Sequence, residues 1–523
     1  MGNQHSHDTR SGTEQGSSGT STPRGSQRGA GSRSGSGGDL QGLPEKSEKP
    51  PPSMIPIEKL GKLLAQRSQK EEGINGVTEK CFVKYLFPMY PELALQFYKY
   101  IHKMGKCKNK HIPLSTFKQQ CERILGMLDD AVIIDTYVRM FCSDTDENMV
   151  TPEGLRSLLY TSYKLSMDHY PEGPQTCLMI NKTLAAVVNG CFNKKDSHSV
   201  GFVVRWLEEH CHRLIFPVHR YCVHLLATRH RDMEARAESL GAGAGLELAT
   251  PVLERGAGLE LATPVLERGA GLELATPVLE RGAWQAASAL MPLSRAWLLA
   301  GTAPPLYSRP TAPPHQPPED GAGLASAAWL ARLVCAVPSH WAPLYASRDH
   351  GLGANRFLHH TLAYRGPTLV LIQTEETVIV VCCPQEWRET HQYWGGPECA
   401  LLQLCPTFNI VERAPKMMYL NTSIRGYPKG LRVGSDPRKP ILNIPEDFDS
   451  LTFQGVPHSL QSIEVWGCGD QASRETQLEI KKWQVREAER QRQVKLSAAD
   501  WIEHPDRYLL ELAGRPQYNN SAS

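Results

Sequence analysis

The 523-residue sequence contains no run of about 18 uninterrupted apolar residues, so no transmembrane helix is predicted. Its first residues lack the apolar core of a secretory signal peptide, and a cytosolic setting is expected. Fourteen cysteines occur without a C-x-x-C pair, which reads as reduced thiols rather than a disulfide framework. Neither sign of charge is in excess. Lys and Arg number 57 against 55 Asp and Glu, a formal net charge of +2, which argues against a generally basic nucleic-acid binder and against an acidic tail protein. No aromatic residue precedes Phe82. Hydrophobic residues reach only 41%, below the roughly 45–50% of compact domains. Gly (43) and Pro (38) are abundant instead, so part of the chain is not core-forming.

What is present falls into five stretches. Residues 1–53 hold a Gly/Ser-rich, expected disordered tether; 11 Gly and 10 Ser fall within 1–50. From 54 to 236 apolar residues recur at helical spacing, as in Phe82, Leu86, Leu93, Phe97 and Ile101, or Ile124, Leu128, Ile133, Tyr137 and Phe141. Pro152 after Thr151 opens a further helix. Residues 237–283 are a low-complexity linker built on three copies of GAGLELATPVLER at 243–281. From 284 to 470 the text becomes β-rich, interrupted by a Pro-rich loop at 303–322. TLVLIQ (368–373) and VIVVCC (378–383) read as a hairpin, and ALLQLC (400–405), FNIVE (408–412) and SIEVWG (462–467) as further strands. Residues 471–523 form a charged helix and tail, with Trp483 among the few apolar members of 473–496.

Several motifs bear on chemistry. Met1-Gly2-Asn3-Gln4-His5-Ser6 fits the N-myristoylation pattern, with Gly2 as acceptor. One such chain binds membranes marginally, about 10⁴ M⁻¹, so a second anchor is needed, and a protein partner is expected to supply it. Asp144, Asp146 and Asn148 resemble the opening of an EF-hand loop, but Met149 stands where Gly makes the turn and Leu155 where a bidentate Glu closes the site. A structural helix pair is therefore expected, with no metal bound. His210, Cys211, His212, His219, Cys222 and His224 crowd one stretch without zinc-ligand spacing. Cys382 and Cys383 are adjacent in a strand and must face opposite sides of it. His350 has no nucleophile elbow beside it, and the Gly395-Gly396 and Gly430–Gly434 segments lack the Lys-Ser/Thr of a phosphate loop. No catalytic residue and no cofactor is nominated.

From Trp341 the sequence resembles a known module. WAPLYASRDHG (341–351), RGPTLVLIQ (365–373), YWGGPECALLQLCP (393–406), MMYLN (417–421), PKGLRVGS (428–435) and SIEVWGCGD (462–470) occur in an order similar to that of the TLDc domain. The N-terminal Met-Gly-Asn and the EF-hand-like region resemble its mTOR-associated lysosomal, eak-seven-like branch. The likeness covers about 325–470 strongly and 54–236 loosely. Two departures stand out. The family's G-L-G-x-G-G reads Gly430-Leu431-Arg432-Val433-Gly434-Ser435, and the strand that follows reads Pro440-Ile441-Leu442-Asn443, where proline predicts an edge or shortened strand.

The resemblance implies an α+β fold: a helical EF-hand-like N-terminal domain, then a TLDc two-sheet β-sandwich flanked by helices, then a C-terminal helix. It implies a non-enzymatic adaptor on the cytoplasmic face of the lysosomal membrane, linked to stress or nutrient response. The implied partners are vacuolar-type proton ATPase subunits, mTOR complex components and the membrane through the myristoyl group, with no nucleic acid. In that branch a C-terminal helix contacts the ATPase; by position, Trp483, Arg486 and Arg490 are the partner-binding candidates. Two other readings stand beside this one: a thiol-based antioxidant using Cys382, Cys383 or Cys399, and a calcium-responsive switch.

Overall fold

The computed structural model describes residues 56–142, 148–167, 179–241, 290–308 and 341–492, together with Leu509 and Leu512. Gly2, the 1–53 tether, Asp144, Asp146, the 243–281 repeats and most of the Pro-rich stretch lie outside the described residues.

The helical region is built from helix–loop–helix units. The first joins α1 (Pro56–Glu72) to α2 (Glu79–Cys81), which runs on as a π-turn over Phe82–Leu86. The second joins α3 (Pro91–Met104) to α4 (Leu114–Leu125), the third α5 (Asp130–Met140) to α6 (Pro152–Met167), and the fourth α7 (Ile180–Phe192) to α8 (Val200–His210). Short polar side chains start several of these helices. Thr78 accepts from the Cys81 amide, Asp129 from Ala131 and Ser199 from Phe202, each satisfying an N–H that the first turn leaves without a partner. The units pair through their loops. Val77 and Ile112 exchange two backbone hydrogen bonds of 2.9 Å, and β1 (Met149–Val150) pairs antiparallel with β2 (His198–Ser199). This loop-to-loop bridging is the architecture of paired EF-hands, here repeated twice. The long α9 (Phe216–Gly241) packs against α1, α4 and α6.

One helical expectation differs. Leu128 shares the apolar spacing of Ile124 and Ile133, yet it is 92% exposed. Gly126 caps α4 and Asp129 starts α5, so Leu128 sits in the turn between two helices rather than on one face of either.

The β region is two stacked antiparallel sheets. The first has six strands: β3 (Ala342–Ala346), β4 (Thr368–Gln373), β5 (Val378–Cys383), β6 (Ala400–Cys405), β7 (Asn409–Arg413) and β13 (Ser462–Gly467), in the order β3-β13-β4-β5-β6-β7. The second has five: β8 (Met418–Asn421), β9 (Gly430–Val433), β10 (Leu442–Ile444), β11 (Ser450–Phe453) and β12 (Val456–Ser459), in the order β12-β11-β10-β9-β8. The 368–383 hairpin forms as expected, closed by Thr374, whose amide donates to the Thr377 carbonyl at 2.9 Å.

Two cores share the six-stranded sheet. One face, with Val370, Ile372, Ile379, Val381 and Leu401, packs on the five-stranded sheet. The other, with Leu369, Leu371, Val380, Leu402 and Leu404, packs on the helical region. Every residue of β5 is therefore buried, which explains its unbroken apolar run in place of polar alternation. Helix α10 (Leu293–Thr302) fills the junction, buried along its whole length. It contacts α6 and α7, with Trp297 edge-on to Tyr163 at 5.5 Å. Its last turn receives Arg413, which donates to the Thr302 carbonyl at 3.2 Å. Just before it, the Leu290 amide donates to the buried Glu464 carboxylate at 3.0 Å. The first residues of the Pro-rich stretch are also packed: in α11 (Pro305–Ser308), Tyr307 is fully buried and accepts from the Trp341 indole at 2.8 Å.

The strand expected to be an edge or shortened is shortened only. Strand β10 has three residues but lies inside its sheet between β9 and β11, because Pro437 and Pro440 fall in the preceding turn. Gly430 and Gly434 are the glycines the geometry requires. At φ +108° a Cβ on Gly430 would lie 2.1 Å from the Ile444 carbonyl oxygen, and at φ +151° one on Gly434 would lie 2.9 Å from the Ile441 nitrogen.

Candidate functional site

The surface that best matches a functional role is the C-terminal helix α14 (Gln471–Arg492), which leaves the six-stranded sheet directly after β13. Its first turn is capped by Asp470, whose carboxylate accepts from the Ser473 amide at 3.0 Å and from the Ser473 hydroxyl at 2.7 Å. One turn on, Gln477 is fully buried and its amide nitrogen donates to the His360 carbonyl at 2.9 Å. That bond ties α14 to helix α13 (Ala354–Thr361), which follows the short α12 (Ser347–His350). Arg474, hydrogen-bonded to Gln477, is half-buried, and desolvation lowers its pKa. Desolvation also lowers the Lys481 pKa, with Arg474 adding to the effect.

Beyond Lys481 the helix projects. Residues 482–486 and 488–490 are all exposed, Trp483 at 59% and Val485 at 57%. Trp483, Arg486 and Arg490 stand at i, i+3 and i+7, so the three expected partner-binding residues share one stripe. Arg490 pairs with Glu487 at 2.9 Å, and Arg486 donates to the Lys482 carbonyl at 3.3 Å. An exposed Trp flanked by Arg is the composition of an interface hot spot.

A second surface escaped the sequence reading. Between Glu92 and Glu122 there is no acidic residue, while Lys99, Lys103, Lys106, Lys108, Lys110 and Lys118 are present. Lys106, Lys108 and Lys110 lie in the loop between α3 and α4, and all three are exposed. The loop is held from behind. The Tyr98 hydroxyl donates to the Lys110 carbonyl at 3.1 Å, and the His102 ring meets the Asn109 carbonyl at 2.6 Å. Where an EF-hand loop gathers carboxylates around a cation, this one presents ammonium groups. The signal was available as a 29-residue stretch without Asp or Glu (93–121), but the near-neutral whole-chain charge concealed it.

The other expected positions are placed as follows. Asn148 is exposed, and its carbonyl accepts from the Val200 amide at 2.9 Å. Met149 opens β1 and Leu155 is buried in α6, so both serve packing. Among the described residues, no group of three or more His, Cys, Asp or Glu could hold a metal ion. His210 stacks on Trp206 at 4.5 Å, and His219 meets the Tyr137 hydroxyl at 3.3 Å. Burial lowers the pKa of His210, His212, His219 and His224.

Cys382 and Cys383 do face opposite sides, one in each core. Both are fully buried, and burial pushes both thiols up. The Cys399 thiol is pushed up to about 12 by burial. A thiol antioxidant needs an accessible thiolate, and these positions provide neither access nor the charge state. His350 stacks on Tyr345 at 5.7 Å and lies tilted against His360 at 3.9 Å, and its Nδ1 accepts from the Ala346 amide at 3.1 Å. It is part of the packing beneath α14. No helix among the described residues is long and apolar enough to cross a membrane.

Two stacked antiparallel sheets with a helix leaving the last strand define a class of protein module, and residues 321–469 match the family model of the TLDc domain. The chain therefore contains a TLDc domain. Its curated relatives include Restriction of telomere capping protein 5 of Zygosaccharomyces rouxii, 24% identical over 273 residues, covering 36% of this chain and 48% of the relative. The protein of that name from Leptosphaeria maculans is 23% identical, covering 33% of this chain and 40% of the relative, and that from Neurospora crassa 26%, covering 27% and 30%. The chain spans less than half the length of these relatives. These matches do not single out a lysosomal branch.

Proposed function

We propose that this chain is a non-enzymatic TLDc adaptor that acts at a membrane, with its C-terminal helix as the handle for a protein partner. The observation that carries the reading is the projecting half of α14, where Trp483, Arg486 and Arg490 share one exposed stripe on a helix fixed at its base by Gln477. The finer proposal is the cytoplasmic face of the lysosome, with vacuolar-type proton ATPase subunits or mTOR components as partners. Gly2 in its motif supports the membrane setting. The lysine loop at 106–110 supplies the second membrane contact that a single acyl chain needs.

The test is affinity purification of the full chain from lysosomal membranes, comparing wild type, Gly2→Ala and Trp483→Ala. Gly2→Ala should move the protein to the soluble fraction, and Trp483→Ala should lose pump subunits while staying membrane-bound. Unchanged pelleting of Gly2→Ala refutes the lipid anchor. Equal pump recovery with Trp483→Ala refutes the helix. The name of the curated relatives favours a second reading, a regulator acting at telomeres. Recovery of telomeric proteins with no pump subunits would select it.

A further inference from the structure

The two sheets differ in what covers them. The inward face of the five-stranded sheet carries Met418, Leu420, Leu431, Val433, Leu442 and Ile444. The outward face carries the alternate residues. Strand pairing puts Tyr419 opposite Arg432 and Arg432 opposite Asn443, so these three lie in a row across β8, β9 and β10. Tyr393, from the loop before β6, lies over this row with its ring 5.1 Å from that of Tyr419. A cavity of about 360 Å³ opens here, walled by residues 391–393 (His, Gln and Tyr), Tyr419, Pro428, Arg432 and Pro437. That volume is in the range of a small-ligand site.

Rings and prolines make up most of the wall, with Gln392 and Arg432 as its non-aromatic polar members. The Tyr419 hydroxyl is already engaged, donating to the Pro428 carbonyl at 2.6 Å. The Tyr393 hydroxyl and the Arg432 Nε are buried without a hydrogen-bond partner among the described residues. Both are donors, and both belong to residues lining the same cavity. A buried donor left unsatisfied is costly, and in the same row the Asn443 Oδ1 acceptor is likewise buried without a partner among the described residues. Asp436 acts electrostatically on Tyr393, but Arg432 does so more strongly.

We propose that this cavity is a binding site for an oxyanion carried on a flat aromatic body. The carboxylate or phosphate accepts from Arg432 and from the Tyr393 hydroxyl, and the ring lies against the tyrosine and proline walls. The inference is independent of the adaptor reading and of the membrane anchor. The same chemistry is found in a free aryl phosphate or carboxylate and in a phosphotyrosine side chain, and the test separates them.

The experiment is calorimetric titration of the full chain with phenyl phosphate, benzoate, inorganic phosphate and a short phosphotyrosine peptide. At least one aryl probe should bind, with inorganic phosphate roughly 10-fold weaker for want of stacking. Arg432→Gln should weaken the aryl probe roughly 10- to 100-fold, the span of a charge-assisted hydrogen bond. Tyr393→Phe keeps the ring and should weaken it less, which preserves a test if Arg432→Gln fails to fold. A peptide that binds more tightly than phenyl phosphate assigns the source to a protein; equal affinity assigns a free small molecule. Absence of aryl binding at about 1 mM, equal affinity for inorganic phosphate, or full binding by both variants overturns the proposal.

Discussion

The six-stranded and five-stranded sheets belong to one sandwich but meet different surroundings. The six-stranded sheet is covered twice, by the other sheet and by the helical region, and its strands β4 and β5 are buried almost throughout. The five-stranded sheet packs on the other sheet through one face; on its outer face Tyr419 is buried, and Arg432 and Asn443 are half-buried. The difference separates packing from chemistry. Reactive residue types on the covered sheet, such as Cys382 and Cys383, are shut away and held as thiols. Arg432 and Tyr393, on the outer side, retain donors that no described residue satisfies.

The largest effect that tests this contrast is expected at Leu402, fully buried where β6 meets the helical region. Leu402→Ala should cost about 2–5 kcal/mol in lost transfer energy and cavity formation. Because Leu402 and the helices share one core, helical and sheet signals should be lost together in a denaturant titration. Separate transitions, with only the sheet weakened, would break the idea of a doubly covered sheet.

Much of this arrangement was legible in the sequence. The unbroken β-branched runs at 368–373 and 378–383 were readable as strands, and the adjacent cysteines as opposite-facing. Their double burial was not, because an apolar run shows that both faces are covered without showing by what. Helix α10 belongs to the same difficulty: Leu293–Thr302 falls in the stretch expected to be β-rich, and its place as a helix between the helical region and the sheet rests on long-range contacts. Leu128 misled for a local reason, since apolar spacing continued across a turn set by Gly126 and Asp129. Of the candidate surfaces, the stripe of Trp483, Arg486 and Arg490 follows from helical spacing alone. The Arg432 cavity could not be anticipated, since it joins β9 to a loop some 40 residues earlier in the chain.

A smaller effect sharpens the contrast through pH. Burial holds His210, His212, His219 and His224 below their ordinary value of 6.5 in the folded helical region, and His360, beneath α14, is lowered to about 4, by burial first and by His350 and Lys481 next. These rings stay neutral in the folded chain while the unfolded chain takes up protons from about pH 6.5 downward. Stability should therefore be steady above that value and fall as the pH drops from about 6.5 towards 4. Thermal melts at pH 7.5, 6.0 and 5.0 would check the sign. His360→Gln should flatten part of the acid slope, and an unchanged slope would remove His360 from the account.

The smallest effect is expected on the open face. Among the described residues Arg432 makes no hydrogen bond through Nε, and its strand is held by backbone pairing to β8 and β10. Replacing its side chain removes a buried donor that lacks an acceptor, so no native bond through Nε is lost. Arg432→Gln should leave unfolding stability within about 0.5 kcal/mol of wild type, or raise it slightly. The Leu402→Ala and Arg432→Gln substitutions are each confined to one side chain, on strands of one sandwich. A ratio of several-fold between their stability costs is what double and single coverage require. Near-equal costs would mean that the outer face of the five-stranded sheet is as much a packing surface as the inner one, and that Arg432 is held there by structure rather than kept open for a ligand.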